Sequence, residues 1–231
     1  MHKAGAFFFF CAGLLGVAHL LPRPAVAAWP TDPLVNVPLC TATGNQYSPT
    51  SVSDGTGGAI VAWYDYRNGT SADVYAQRIS AGGTVQWTAD GVALCTATGN
   101  QYSPTIVSDG GAPGEAGSGA VVTWADSRSG NTDIYAQRIS AGGTVQWTPD
   151  GVALCTATGT QSMPNITSDG AGGAIVTWMD SRSGIYHIYA QRISAGGTVR
   201  WAANGVALCS ATGEQQNPRI ASDGAGGAIV T

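Results

Sequence analysis

Residues 75–88 read YAQRISAGGTVQWT, and residues 135–148 read the same, letter for letter. Residues 189–201 repeat it again with one change, Arg200. Around each copy the same frame recurs: a Cys, a Gln-x-x-Pro, a Ser-Asp-Gly, an apolar run ending in Trp, an Asp-x-Arg, then the block itself. Self-similarity at a fixed period decides architecture before any single residue can. The repeat-equivalent Cys40, Cys95, Cys155 and Cys209 stand 55, 60 and 54 residues apart. The longer middle unit carries extra residues at 111–118. No 3.6-residue apolar period appears, so helical solenoids are excluded. Short β-type runs separated by Gly, Asn, Asp and Pro take its place.

In the first unit four runs are expected as strands: residues 49–53, 58–65, 73–80 and 84–87. The last two flank the turn Ala81-Gly82-Gly83, where glycine supplies the backbone freedom of a tight hairpin. The second run is apolar on both alternating faces, with Ala59, Val61 and Trp63 opposite Ile60 and Ala62. A strand of that kind is buried on both sides. Antiparallel sheets buried on both faces and repeated along a chain point to radially stacked four-stranded blades, an all-β propeller. The units run approximately 41–95, 96–155 and 156–209, with a partial unit at 210–231. An earlier fragment runs from Trp29 to Cys40 within the 28–231 propeller region.

The frame SDGxGGAIVxWxDxR followed by DIYAQRISAGGTVQW resembles the secreted bacterial β-propeller repeats related to sialidase-type (Asp-box, or BNR) blades. Residues 80–87 sit where the Asp-box lies and keep a Ser, the glycines, a Thr and a Trp. They lack the Asp, and their spacing is shifted; residues 140–147 and 194–201 do the same. The resemblance covers about residues 29–231. It implies blade architecture. It would imply sialidase-like activity only with arginines gripping a substrate carboxylate, a Tyr/Glu nucleophile pair and an acid/base Asp.

The N-terminus reads as an export signal over residues 1–27. His2 and Lys3 precede an apolar stretch from Ala4 to Leu21, Pro22 and Pro24 break it, and Ala25-Val26-Ala27 offers a cleavage site. Cys11 leaves with it. The expected location is secreted, periplasmic or cell-surface. The remaining chain has 14 acidic residues and 8 arginines, a net charge of −6 against −4 for the whole chain. With no basic cluster, neither nucleic acid nor an anionic membrane is expected as partner. The apolar runs that lead to Trp63, Trp124 and Trp178 recur at Ile229-Val230-Thr231, where the sequence stops short of the Trp. The expectation is the N-terminal part of a longer propeller, or closure by self-association.

The Asp-x-Arg pairs, Asp65/Arg67, Asp126/Arg128 and Asp180/Arg182, recur in register, which is the habit of structural ion pairs; an active site breaks symmetry. Arg78, Arg138 and Arg192 are expected to satisfy carbonyls or a neighbouring Asp. The tryptophans are expected as inter-blade filling, with indole N–H groups bonded to backbone. Equivalent positions on adjacent blades lie too far apart for disulfides, so four thiols are expected. No cofactor and no metal are expected: there is no Cys-x-x-Cys, and the Asp in each Ser-Asp-Gly suits an ordinary turn. His187 stands where other units have Asp73 and Asp133, and is read as a surface substitution. Asn68-Gly69-Thr70 and Asn165-Ile166-Thr167 are read as chance glycosylation triplets. Glu115 and Glu214, the only glutamates, have no obvious partner.

Function should reside where the repeat breaks. The loops between second and third strands, and those before the first, are expected on one face. Their candidate ligand-binding residues are Gln46, Tyr47, Tyr66, Asn68, Gln101, Tyr102, Asn131, Gln161 and Tyr186. The insertion at 111–118 should project from the opposite face. The leading expectation is an exported, non-catalytic module that binds a protein or glycan. The alternative is part of a sialidase-like or other glycoside hydrolase with catalytic residues downstream.

Overall fold

A computed structural model describes residues 29–30, 32, 34–111 and 118–231. The signal segment, Cys11 and Glu115 lie outside the described residues. Three four-stranded antiparallel sheets follow one another. The first holds β1 (Gln46–Ser53), β2 (Ala59–Asp65), β3 (Asp73–Ile79) and β4 (Val92–Cys95). The second holds β5 (Gln101–Ser108), β6 (Ala120–Asp126), β7 (Asp133–Ile139) and β8 (Val152–Cys155). The third holds β9 (Gln161–Ser168), β10 (Ala174–Asp180), β11 (His187–Ile193) and β12 (Val206–Cys209). The short strands β13 (Ile220–Ser222) and β14 (Ala228–Val230) pair as the start of a fourth. Strand order within each sheet equals chain order. The innermost strands β1, β5, β9 and β13 adjoin in turn. The chain is an arc of an all-β propeller.

Burial follows the two-residue period of the second strands. Ile60 and Ala62 of β2 face the second blade and pack with Ala120, Val122 and Trp124 of β6. Val121, one residue out of phase, faces the third blade and packs with Ala174, Val176 and Trp178 of β10. Each seam between blades is therefore a separate hydrophobic core. Leu94 and Leu154 of the outer strands are each 2% exposed in such a seam, whereas the equivalent Leu208 is 46% exposed.

The outer strand is not the one expected. Residues 84–87 contribute only a single bridge, Ile79 to Val85, and the sequence Val-Ala-Leu-Cys forms the fourth strand instead. The fully buried Gln77 is the cause. Its Oε1 accepts from the backbone N–H groups of Arg78 (2.9 Å) and Trp87 (3.0 Å), and its Nε2 donates to the Thr88 carbonyl at 2.7 Å. A side chain thus occupies the ladder positions that 84–87 would need. The chain then turns at Gly91, φ +90°, and returns as β4. A Cβ at Gly91 would stand 2.7 Å from the Trp63 ring and 2.9 Å from the Ala76 carbonyl. Gln137 and Gln191 act identically in the other blades.

Candidate ligand-binding face

The charged residues of the repeat are consumed at the seams. In the second blade the buried Asp126 carboxylate accepts from Trp124 Nε1 (2.8 Å), Arg128 N (3.0 Å), Arg128 Nε (2.9 Å) and Arg128 Nη2 (2.6 Å). Arg128 Nη2 also reaches the Asp150 carbonyl at 2.8 Å and the Cys95 sulfur at 3.0 Å. Its guanidinium lies 3.9 Å over the Tyr135 ring. The third blade repeats this with Asp180, Trp178, Arg182, Cys155 and Tyr189. In the first blade Asp65, Trp63, Arg67, Cys40 and Tyr75 do the same, but Arg67 Nε has no partner. The indole N–H groups of Trp63, Trp124 and Trp178 therefore bond to carboxylates, not to backbone as expected. The outer Trp87 and Trp147 do bond to backbone, donating to the Ala141 and Ala195 carbonyls of the next blade.

Electrostatics follow from this wiring. Burial opposes the charge on Asp65 and Asp180, but the hydrogen bonds from Arg and Trp outweigh it and hold both pKa values below the ordinary carboxylate range. Burial pushes the Cys95 and Cys155 thiols up to about 12. All four described cysteines are free thiols. Asp54 is buried; the bonds it accepts from Thr56, Arg78 and Gly58 overcome that burial and lower it to about 2. Asp109 and Asp169 are likewise gripped by Arg138 and Arg192. These turn carboxylates are committed to protein donors. Among the described residues no three His, Cys, Asp or Glu side chains cluster as metal ligands would.

The β2–β3 loop and the loop before β5 lie together: Gln101 N donates to the Ala72 carbonyl at 2.8 Å, and Asn100 Oδ1 accepts from Ala72 N at 3.0 Å. The next pair interlocks through Gln161 N and the Thr132 carbonyl, again at 2.8 Å. Several candidate residues hold this face together. Gln101 and Gln161 are fully buried, and Gln46 is half-buried with its amide on the Ala42 and Gly44 carbonyls. Asn68 spends its amide on Ser71, Asp73 and the Thr70 and Ser71 N–H groups. Asn131 bridges to the Ala157 and Gly159 carbonyls. Tyr102 is half-buried with its hydroxyl on Thr132 at 3.0 Å, and Tyr186 is half-buried. His187 is not a surface residue: it is 9% exposed, with Nδ1 2.6 Å from Gln215 Oε1.

Tyr47 and Tyr66 belong to a cluster that the loops alone did not announce. Tyr47 stacks on Tyr64 with ring centroids 5.4 Å apart, and Tyr66 meets both edge-on at 6.0 and 6.1 Å. Tyr47 is 43% exposed and receives a hydrogen bond from Asn45 Nδ2 at 2.9 Å. The equivalent positions hold Tyr102, Ala125 and Ser127 in the second blade and Ser162, Met179 and Ser181 in the third. The cluster breaks the repeat. Its sequence signal was Tyr64, which sits opposite Tyr47 in the β1–β2 register.

Beside it runs an axial cleft of about 350 Å3, lined by one triplet per blade: Ser48-Pro49-Thr50, Ser103-Pro104-Thr105, Met163-Pro164-Asn165 and Asn217-Pro218-Arg219. The residue before each proline has φ between 50° and 55°, at a slip in the β1–β2 pairing that recurs in the next two blades. Non-glycine residues rarely adopt this left-handed conformation. The signal was Gln-x-x-Pro itself, because a proline inside a paired strand marks a bulge. Its left-handed residue differs between blades, as Ser48, Ser103, Met163 and Asn217.

No family model matches this chain, the sialidase type included, and no curated protein matches it. Among solved structures, the endo-arabinase from Bacteroides thetaiotaomicron is similar over 82% of this chain and 70% of its own, at 15% identity and a TM-score of 0.48. The α-L-arabinofuranosidase Arb93A from Fusarium graminearum, in complex with an iminosugar inhibitor, is similar over 78% of this chain and 54% of its own, at 10% identity and a TM-score of 0.48. This chain therefore spans about half the length of the second. At these values the likeness does not extend to chemistry.

Proposed function

We propose that this chain is an exported, non-catalytic propeller segment that binds a carbohydrate at the tyrosine cluster of its first blade. The observation that carries the reading is the Tyr47–Tyr64–Tyr66 contact, found in one blade and replaced by smaller or aliphatic side chains at most equivalent positions of the others. Tyrosine offers a flat apolar face and a polar tip, with little side-chain entropy to lose on binding. Stacked rings with hydroxyls at the rim suit the C–H face and hydroxyls of a sugar. A protein partner ordinarily needs about 800 Å2 of surface per side, and at these positions the other two blades offer mostly Ala and Ser. That favours the glycan over the protein within the expected ligand classes. Export rests on the reading of residues 1–27.

The non-catalytic half rests on where the carboxylates are. Glycoside hydrolysis uses a pair of carboxyl groups about 5–9.5 Å apart flanking the bond. The residues lining the axial cleft include no Asp or Glu. The repeat carboxylates Asp54, Asp65, Asp109, Asp126, Asp169 and Asp180 are each paired with an arginine.

Affinity electrophoresis through gels carrying arabinan, xylan, pectin or sialylated mucin tests the reading. Retardation in one of these, lost by at least tenfold in affinity in Tyr47→Ala, is the expected result. No retardation in any, or equal retardation of the variant, overturns the site. Release of reducing sugar from the retarding polymer overturns the non-catalytic assignment and favours the hydrolase alternative.

A further inference from the structure

The three seams between blades share one polar contact that uses different chemistry in different places. At each seam a glutamine that opens or shortly precedes the inner strand donates its backbone N–H to the loop of the preceding blade. These bonds are Gln101 to Ala72, Gln161 to Thr132 and Gln215 to Tyr186, all 2.8 Å. The next residue of that preceding blade is Asp73, Asp133 or His187. At the third seam His187 Nδ1 lies 2.6 Å from Gln215 Oε1. An amide oxygen only accepts, so His187 donates. The glutamine cannot be turned round, because its Nε2 is held by the Ala211 and Gly213 carbonyls.

At the first seam the same backbone bond places Asp73 where His187 stands. Gln101 is held the same way: Nε2 faces the Thr98 carbonyl (3.4 Å) and the Asp126 carboxylate (3.5 Å), both acceptors. Its Oε1 is buried without a partner, and so is Asp73 Oδ1. Two buried acceptors without donors across one seam are costly, and a single proton between them removes both deficits. At the second seam Gln161 Oε1 is orphaned in the same way, while Asp133 meets Ser129 and Asn131. We propose that Asp73, with Asp133 as the weaker copy, is protonated in the folded protein at mildly acid pH and donates to the glutamine Oε1 of the next blade. Each of these two seams is then closed by a neutral acid–amide hydrogen bond that deprotonation removes.

The surroundings favour the neutral acid. Asp73 is cross-strand from Asp65, whose charge is already committed to Arg67. The other groups facing it are Asn68 on its own loop and, farther off, Asp150. Burial first, then the Asp65 charge, raises Asp73 to about 6, against the attraction of Arg67. Asp133 is raised by burial and by Asp126, against Ser129, Asn131 and Arg128. A folded pKa above the unfolded value means that the folded state holds the proton more tightly. The contribution is fully present below about pH 4, the unfolded value, and is lost as pH rises through about 6. His187 donates from Nδ1 whether neutral or charged, so the third seam is independent of this titration.

Carboxyl-carbon NMR titration of the full chain tests the proposal directly. The Asp73 carboxyl should titrate about two units above ordinary carboxylates, near 6, and Asp133 above them by less. Titration of both with the bulk near 4 overturns the proposal. In parallel, the thermal midpoint of the wild type should fall between pH 5 and pH 7.5. Asp73→Asn, whose amide donates without titrating, should flatten that fall and match or exceed the wild type at pH 7.5. An unchanged slope in Asp73→Asn overturns the proposal too, and if that variant does not fold the NMR titration of the wild type decides alone.

Discussion

The Asp126–Arg128–Trp124 cluster and the axial triplet Ser103-Pro104-Thr105 belong to the same blade, and they behave oppositely. The cluster recurs in three blades with the same residue types, its carboxylates are buried, and nearly every donor in it has an acceptor, Arg67 Nε excepted. The triplet is exposed at Ser103, carries a left-handed non-glycine residue, and varies from Ser to Met to Asn along the chain. Repetition with near-complete hydrogen bonding marks what holds blades together. Variation on a strained backbone marks what the repeat leaves free, and strain of this kind gathers at functional positions. The tyrosine cluster falls on the second side of this division, which is why the proposed function rests there and not on the arginines.

The sharpest way to break the comparison is to remove Asp126. Asp126→Ala leaves the Arg128 guanidinium and the Trp124 N–H without the one carboxylate that either hydrogen-bonds. Removing one partner of a buried ion pair costs about 3–5 kcal/mol. The urea midpoint should drop accordingly, with an unchanged slope. A loss under about 1 kcal/mol would place the cluster among ordinary surface salt bridges.

Next in size is a test within a single residue type. Leu154→Ala should cost about 2–5 kcal/mol, since Leu154 is buried in the seam between the second and third blades. Leu208→Ala, at the equivalent but half-exposed position, should cost well under half of that. Equal losses would mean that burial in a seam is not what stabilises the outer strand.

Thiol accessibility and acid sensitivity sharpen the picture further. Cys95 and Cys155 are buried, with thiols pushed to about 12, whereas Cys40 and Cys209 are half-buried. The thiolate is the reactive species, so in protein lacking residues 1–27, and with them Cys11, a disulfide reagent at pH 8 should modify two cysteines quickly and two only as fast as the chain opens. Four fast thiols would contradict the closed seams. Asp54, lowered to about 2, contributes stability that is present above its unfolded value near pH 4 and lost as pH falls from about 4 toward 2. Asp54→Asn should lose that acid sensitivity and be weaker at neutral pH, where its bond to Arg78 is no longer charge-assisted.

The repeat period made the blades legible, because four β-type runs per unit with a double-sided apolar second strand admit few other packings. The outer strand was misread for a local reason. Thr84-Val85-Gln86-Trp87 alternates like a strand, but Gln77, ten residues before Trp87, takes its ladder bonds. Nothing in a propensity reading weighs one buried amide against a hydrogen-bond ladder. The indole-to-carboxylate bond was legible in principle: Trp63 and Asp65 are two apart on one strand and share a face. His187 was not, since the side chain it bonds, Gln215, lies 28 residues away. The pre-proline bulge was not read: Pro49 was expected to open the first strand, whereas that strand starts at Gln46 and the register slips just before the proline, at a left-handed backbone angle.

That angle yields the smallest effect and the most direct reading of the division between seam and rim. Ser103 holds φ 54° at the axial cleft. An L-residue in the left-handed region costs roughly 1–2 kcal/mol, and glycine avoids that cost while losing about 0.5–1 kcal/mol through its freer unfolded chain. Ser103→Gly should therefore stabilise the protein by up to about 1 kcal/mol. The opposite change at Gly151, where φ is +90° and a Cβ would stand 2.6 Å from the Trp124 ring, should destabilise it by about 1–3 kcal/mol. Both positions have positive φ, and of the two only Ser103 carries a side chain. If Ser103→Gly is stabilising and also weakens glycan retardation, the strain is held for binding. If it stabilises and leaves retardation intact, the rim is strained for the geometry of the bulge alone, and binding rests on the tyrosines without it.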